Sequence, residues 1–268
     1  MLRLISVLFI LVFSKVESNA QKPDVAYVST PDFVVERMLD MANVGPGDYV
    51  IDLGCGDGRI NIAAAKRGAF GHGVDIDPER IKEARLNAEK AGVADKVVFL
   101  EENIYNTDFS GATVIAMYLF PSINVKLRPK FLENLKPGTR IVSHDFGMDE
   151  WKPDKQSGRM ENHAALLWIV PAKVEGTWSW ELAGEKYEMS VNQKFQEIKI
   201  SLTSEISTFN VENDLLSGKR ISFTANENSG QKKFVFSGEV KDDKIEGLVQ
   251  IRNGNDKKVE NWTAVFMN

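Results

Sequence analysis

The sequence is poor in the residues that cross-link chains or hold metals. Its 268 residues include one cysteine, Cys55, and three histidines. A lone cysteine excludes an internal disulfide and any multi-cysteine zinc site. His72 precedes a strand pattern and His163 lies in a loop pattern. Neither has a partner at metal-ligand spacing, so no metal is expected. An excess of basic charge is also lacking. The net charge of −5 argues against a nucleic-acid partner held by phosphate neutralisation. No apolar run reaches the roughly 20 residues of a bilayer-spanning helix, so no stable membrane anchor is expected. The run from Leu4 to Phe13 follows Arg3 and precedes a polar stretch ending in Ser18, Asn19 and Ala20. That is the layout of a secretory signal peptide. It predicts cleavage near Ala20 and export to the periplasm or beyond, with a cytoplasmic location as the alternative.

Two regions with different periodicities follow. Across residues 27–172, short apolar strand patterns alternate with helical ones, as a mainly parallel sheet with covering helices requires. Thr30 stands as N-cap and Pro31 as first helical residue of "TPDFVVERMLDMANVGPGD". Asp77 and Pro78 repeat that arrangement before "ERIKEARLNAEKAG". The segment "INVKLRPKFLENLKPG" reads as a helix interrupted by Pro129. Across residues 173–268 the period is two, with turn signals at short intervals, which predicts a separate small antiparallel sandwich or barrel. Trp178 and Trp180 fit its core.

The segment "VIDLGCGDGRI" ends the first strand and opens a helix, the place where open parallel sheets bind ligands. Its spacing departs from the dinucleotide fingerprint G-x-G-x-x-G, because Gly58 comes one residue early and Arg59 takes the packing position. The G-K-[ST] ending of a phosphate loop is absent. Asp52 disfavours a pyrophosphate and suits a positively charged ligand. Asp75 ends the second strand, about twenty residues on, where an acid accepts ribose hydroxyls. The implied ligand is a nucleoside with a cationic tail and no phosphates, a description that S-adenosylmethionine meets.

The run "VIDLGCGDGRI…GVDIDPERI…VVFLEEN…ATVIAMYLF…LKPGTRIVSHDF" resembles the class I S-adenosylmethionine-dependent methyltransferases. Within that class it is similar to a bacterial branch related to the mitochondrial protein-lysine methyltransferases and, distantly, to the histone lysine methyltransferases without a SET domain. The resemblance implies an α/β, doubly wound, mostly parallel seven-stranded sheet with one antiparallel strand, followed here by the all-β domain. It implies Asp52, Gly54 and Gly56 around the methionine moiety, Asp75 on the ribose, and Asn103 and Ile104 at the end of the third strand beside adenine. Asn103 stands where an acid is usual, and its amide oxygen can still accept. Tyr27 and Thr30 are placed to close over the cofactor, although a helix cap explains Thr30 equally well. The fourth strand ends "MYLFPS" without an N-P-P-Y motif, so adenine and glutamine are not the expected acceptors.

An amine acceptor must lose its proton before methylation. Tyr118, His144 and Asp145, at the ends of the fourth and fifth strands, are the candidate catalytic residues, each with a packing explanation beside it. In a continuing strand His144 and Asp145 point to opposite faces, so one of them at most lines the cleft. The expected activity is N-methylation of a protein lysine or a small-molecule amine. The rival is an exported module that binds a nucleoside-like ligand on this fold without turnover. Export itself predicts a mature N-terminus near Gln21 in an extracytoplasmic fraction. N-terminal sequencing of fractionated cells checks it, and an intact Met1 in the cytosol refutes it.

Overall fold

A computed structural model describes residues 28–230 and 232–267. The proposed signal peptide and Tyr27 lie outside the described residues. The first sheet contains β1 (Tyr49–Leu53), β2 (Phe70–Asp75), β3 (Val97–Glu101), β4 (Val114–Met117), β5 (Arg140–His144), β6 (Lys155–Gln156) and β7 (Ala165–Ile169). Its order is β3-β2-β1-β4-β5-β7-β6. Strands β1 to β5 are parallel, while β7 runs antiparallel between β5 and β6. This is the seven-stranded arrangement implied by the resemblance.

Helices α1 (Asp32–Met41), α2 (Arg59–Lys66) and α3 (Pro78–Lys90) cover one face. The α1 residues Val34, Val35, Met38 and Leu39 form a single buried stripe against Val50, Val114 and Val142 of the sheet. The opposite face is covered by α4 (Pro121–Asn134) through Ile123, Leu127 and Phe131. Two local expectations are corrected. Pro31, not Thr30, is the N-cap of α1, and its carbonyl accepts from Val34 N and Val35 N. Thr30 is pulled back into the sheet, where its hydroxyl meets His144. Helix α4 begins at Pro121 and runs through Pro129 without ending. The proline forgoes one backbone bond, and the burial of Leu127 and Phe131 on either side holds the helix together.

The remaining strands are β8 (Gly176–Leu182), β9 (Glu185–Lys194), β10 (Glu197–Ser204), β11 (Phe209–Ser217), β12 (Arg220–Glu227), β13 (Lys232–Lys241), β14 (Lys244–Asn253) and β15 (Asp256–Met267). They form one antiparallel sheet in the order β10-β9-β8-β15-β14-β13-β12-β11. The ends β10 and β11 approach each other through the Thr203–Thr208 bridge and a 3.1 Å bond from Ile200 N to Asp214 Oδ2. The sheet is therefore a nearly closed barrel. Alternate residues such as Tyr187, Met189 and Val191 point inward. Trp180 packs against Tyr187, Phe236 and Trp262, with ring centroids 5.1–5.6 Å apart. Side chains fill an eight-stranded barrel of this size.

The two sheets share no strand, yet the turn between β9 and β10 reaches into the first. The Phe195 ring lies 5.8 Å from that of Trp151, inclined 21° to it. Trp151 Nε1 donates to Gln196 Oε1 at 2.8 Å, and Gln196 Nε2 donates to Lys152 O at 2.8 Å. The α/β core is thus completed by a residue of the β region on the face that α4 leaves partly open. Phe195→Ala should lower stability by about 1–3 kcal/mol, below the cost of truncating a fully buried phenylalanine because this ring is only half-buried. Denaturant unfolding of the full chain measures it.

Candidate active site

The strand order reverses at β1, which is flanked by β2 and β4. The carboxyl ends of β1 to β5 therefore converge on one crevice. The glycine loop occupies its centre. Gly54 N and Cys55 N both donate to Val74 O at 2.9 Å, and Gly56 N donates to Asp75 Oδ2 at 2.9 Å. Asp75 Oδ1 accepts from Asp77 N at 3.0 Å, so this carboxylate braces the loop and the start of α3 together. Each oxygen retains a further lone pair for a hydroxyl donor. Gly58 has φ +80°, and a Cβ there would meet Phe99 Cζ at 2.7 Å. Only glycine lets α2 begin this close to β3. Arg59 grips Asp57, with Nη2 to Oδ2 at 2.6 Å, and donates to Thr30 O at 2.8 Å. It ties the loop to the segment before α1.

Asp52 is 1% exposed, and its Oδ2 has no hydrogen-bond partner among the described residues. Burial, reinforced by the nearby Asp75 and Asp57 carboxylates, raises its pKa well above the ordinary value. The same surroundings push up the Cys55 thiol, which stays protonated and buried. A buried carboxyl without a partner is costly, and a cationic group delivered to Oδ2 relieves it. These residues fit S-adenosylmethionine, whose positive charge and ribose hydroxyls match Asp52 and Asp75. Asn103 sits just beyond β3, and its Oδ1 accepts from Tyr105 N at 3.0 Å. Ile104 is half-buried against the core of the α4 face.

Past β4 and β5 the aromatic rings cluster. Tyr118 stacks on His144 with centroids 3.9 Å apart and lies 5.8 Å from Phe146 at 10°. Phe120, 5.7 Å from Phe146, extends this wall outward and is exposed. Burial and the Asp145 charge raise the Tyr118 phenol. His144 is fully buried beneath Tyr118. Burial lowers its pKa to about 4 against the opposing pull of Asp145, with His163 lowering it further. It is therefore neutral at physiological pH, and its position behind the tyrosine suits positioning rather than direct contact with an acceptor.

The expected opposition of His144 and Asp145 is corrected. β5 ends at His144, and Asp145 takes φ +56°, which turns its carboxylate back toward the imidazole, 3.2 Å from Nε2. His163, set aside in the sequence, joins them at 2.8 Å from His144 and 3.1 Å from Asp145. Antiparallel pairing of β7 with β5 sets His144 opposite Ala165 and thereby delivers His163. No local spacing in the sequence signals that contact. Phe146 was likewise missed, and its place after the "HD" pair at a strand end was the available signal.

A family model described as the ANTKMT methyltransferase domain matches residues 52–155. The protein-lysine N-methyltransferase of Saccharolobus islandicus is 46% identical over 154 residues, covering 55% of this chain and 95% of that protein. The adenine nucleotide translocase lysine N-methyltransferase of Mus musculus is 32% identical over 142 residues, covering 53% of this chain and 60% of that protein. A crystal structure of an RNA methyltransferase from Salinibacter ruber in complex with S-adenosyl-L-homocysteine matches with a TM-score of 0.54 at 49% identity. It covers 55% of this chain and 96% of that one. The chain belongs to the class I S-adenosylmethionine-dependent methyltransferases. Within that class it resembles the mitochondrial lysine methyltransferases, and S-adenosylmethionine is its cofactor.

The buried Asp52, whose Oδ2 has no hydrogen-bond partner among the described residues, sets function against stability. Below the ordinary carboxylate pKa of about 3.9 both the folded and the unfolded chain hold the proton. As pH rises, the unfolded chain ionises first, because the folded pKa is raised, so this group's contribution falls with rising pH. Asp52→Asn should therefore make the ligand-free protein more stable at pH 7 and flatten that dependence. It should also weaken S-adenosylhomocysteine binding at least tenfold, as loss of a charge-assisted bond of about 1.5–3 kcal/mol implies. Thermal scans across pH and calorimetry measure the two effects.

Proposed function

We propose that this chain transfers a methyl group from S-adenosylmethionine to the ε-amine of a lysine in a protein. The observation that carries the reading is the 46% identity to the Saccharolobus protein-lysine N-methyltransferase, extending over 95% of that protein. The net charge of −5 supports a protein rather than an RNA acceptor. The intact Asp52, glycine loop and Asp75 favour turnover over the rival reading of a binding module. S-adenosylmethionine, when bound, supplies a methyl group activated on a sulfonium. On this reading Asp52, Gly54 and Gly56 hold the methionine end, Asp75 the ribose, and Asn103 and Ile104 border the adenine.

The wall of Tyr118, Phe146 and Phe120 receives the acceptor. Its rings attract a lysine ammonium by cation–π interaction. The same apolar surroundings disfavour the charged form and so promote loss of its proton to solvent at the open end of the wall, leaving the amine lone pair free to take the methyl group. The Tyr118 hydroxyl then orients the neutral amine as a hydrogen-bond partner. His144 and Asp145 keep the Tyr118 ring in place from behind. Residues 27–172 would form the catalytic unit and 173–268 an accessory one, since the Saccharolobus protein is nearly spanned by a match to 55% of this chain. Exported as its first 20 residues suggest, the chain would need the cofactor outside the cytosol.

Incubation of the full chain with methyl-labelled S-adenosylmethionine, an extract of candidate proteins, and RNA tests the reading. Label should appear as methyl-lysine in protein hydrolysates. Label in RNA alone, or cofactor binding without any transfer, would overturn it. Tyr118→Phe should lower kcat at least tenfold with S-adenosylhomocysteine affinity unchanged.

A further inference from the structure

Two of the three histidines meet one carboxylate at a single point. His144 Nε2 is 2.8 Å from His163 Nδ1 and 3.2 Å from Asp145 Oδ2, and His163 Nδ1 is 3.1 Å from the same oxygen. Three lone-pair atoms thus form a triangle with sides near 3 Å. Protons on the two nitrogens do not satisfy all three contacts at once. With both inward nitrogens protonated, two N–H donors confront each other at 2.8 Å. With one protonated, the bare nitrogen faces a carboxylate oxygen across 3.1 or 3.2 Å. With neither protonated, three lone pairs converge. A cation on the axis of the triangle satisfies all three at once. Nitrogen and oxygen ligands at about 2.0–2.2 Å from such an ion lie about 2.8–3.6 Å apart in octahedral or tetrahedral geometry, a range that spans the observed sides.

The surroundings fix the ligands as metal sites require. Thr30 Oγ1 lies 3.2 Å from His144 Nδ1, where the hydroxyl can accept a proton carried on that nitrogen and leave Nε2 bare toward the triangle. Asp145 Oδ1 accepts from Ala164 N at 2.7 Å, which directs Oδ2 to the same point. His144 is fully buried while His163 is 31% exposed, so one side of the cluster opens to solvent.

We propose that His144, Asp145 and His163 bind one divalent first-row transition cation of the zinc type, leaving coordination positions open to water or to an incoming lone-pair donor. The proposal rests on this triangle and stands whichever acceptor the enzyme uses. The full chain, made without a polyhistidine tag and stripped with chelator, is titrated with Zn²⁺ by calorimetry and with Co²⁺ by absorption spectroscopy. One Zn²⁺ should bind per chain with a Kd of about 10 µM or tighter, and Co²⁺ should give a ligand-field spectrum. His163→Ala should weaken Zn²⁺ binding at least a hundredfold, and Thr30→Val about tenfold or more. His163→Ala should bind S-adenosylhomocysteine as the parent does, which separates this site from the cofactor site and reports that the variant folds. Absence of stoichiometric uptake by the parent chain, or equal affinity in His163→Ala, would overturn the proposal.

Discussion

The carboxyl of Asp52 is buried beneath the glycine loop beside two further acids, and the rest of the α/β unit is organised around that arrangement. Keeping it out of water needs strands on both sides of β1, helices packed over them, and a loop with almost no side chains. Gly58 brings α2 against Phe99, and Asp75 bonds the loop to β2 and to the start of α3. Arg59 supplies positive charge at the rim, where it binds Asp57. The ligand-free protein is thus folded around a buried acid whose Oδ2 has no hydrogen-bond partner among the described residues.

Much of this was legible in the sequence, because it is written in local terms. Strand-then-glycine patterns, the Asp77–Pro78 helix start and the switch to period-two alternation near residue 173 depend on neighbours a few positions apart. The structure bears out the seven-stranded sheet and the following β unit. What stayed hidden depends on distant pairing. Thr30 has the composition of a helix cap, but its hydroxyl is claimed by a histidine 114 positions away. His163 has no ligand spacing of its own and reaches Asp145 because β7 runs back along β5. A strand's alternation rule set Asp145 on the wrong side, because the strand stops one residue before it and the backbone turns left-handed. Sandwich and barrel share one alternation pattern, and only the approach of β10 to β11 separates them.

The β unit is more than an appendage to this site. Its β9–β10 turn inserts Phe195 beside Trp151, whose carbonyl in turn accepts from Trp168 Nε1 at 2.8 Å. Trp168 lies in β7, the strand that carries the chain from His163 back across β5. The barrel therefore packs behind the element that sets the histidine–aspartate cluster. The glycine loop, by contrast, lies on the other side of the sheet's switch point.

Closure of the barrel by its last strand governs the order in which the chain can be completed. Thr177 at the start of β8 is paired with Met267 at the end of β15, so the ring joins residues from opposite ends of its own sequence. The parallel sheet is built from segments earlier in the sequence, whereas the barrel cannot close before β15 is in place. Until then β8 and β14 each present a free edge of backbone donors and acceptors, a template for pairing with other chains. Loss of β15 would therefore expose two such edges at once, far from the glycine loop.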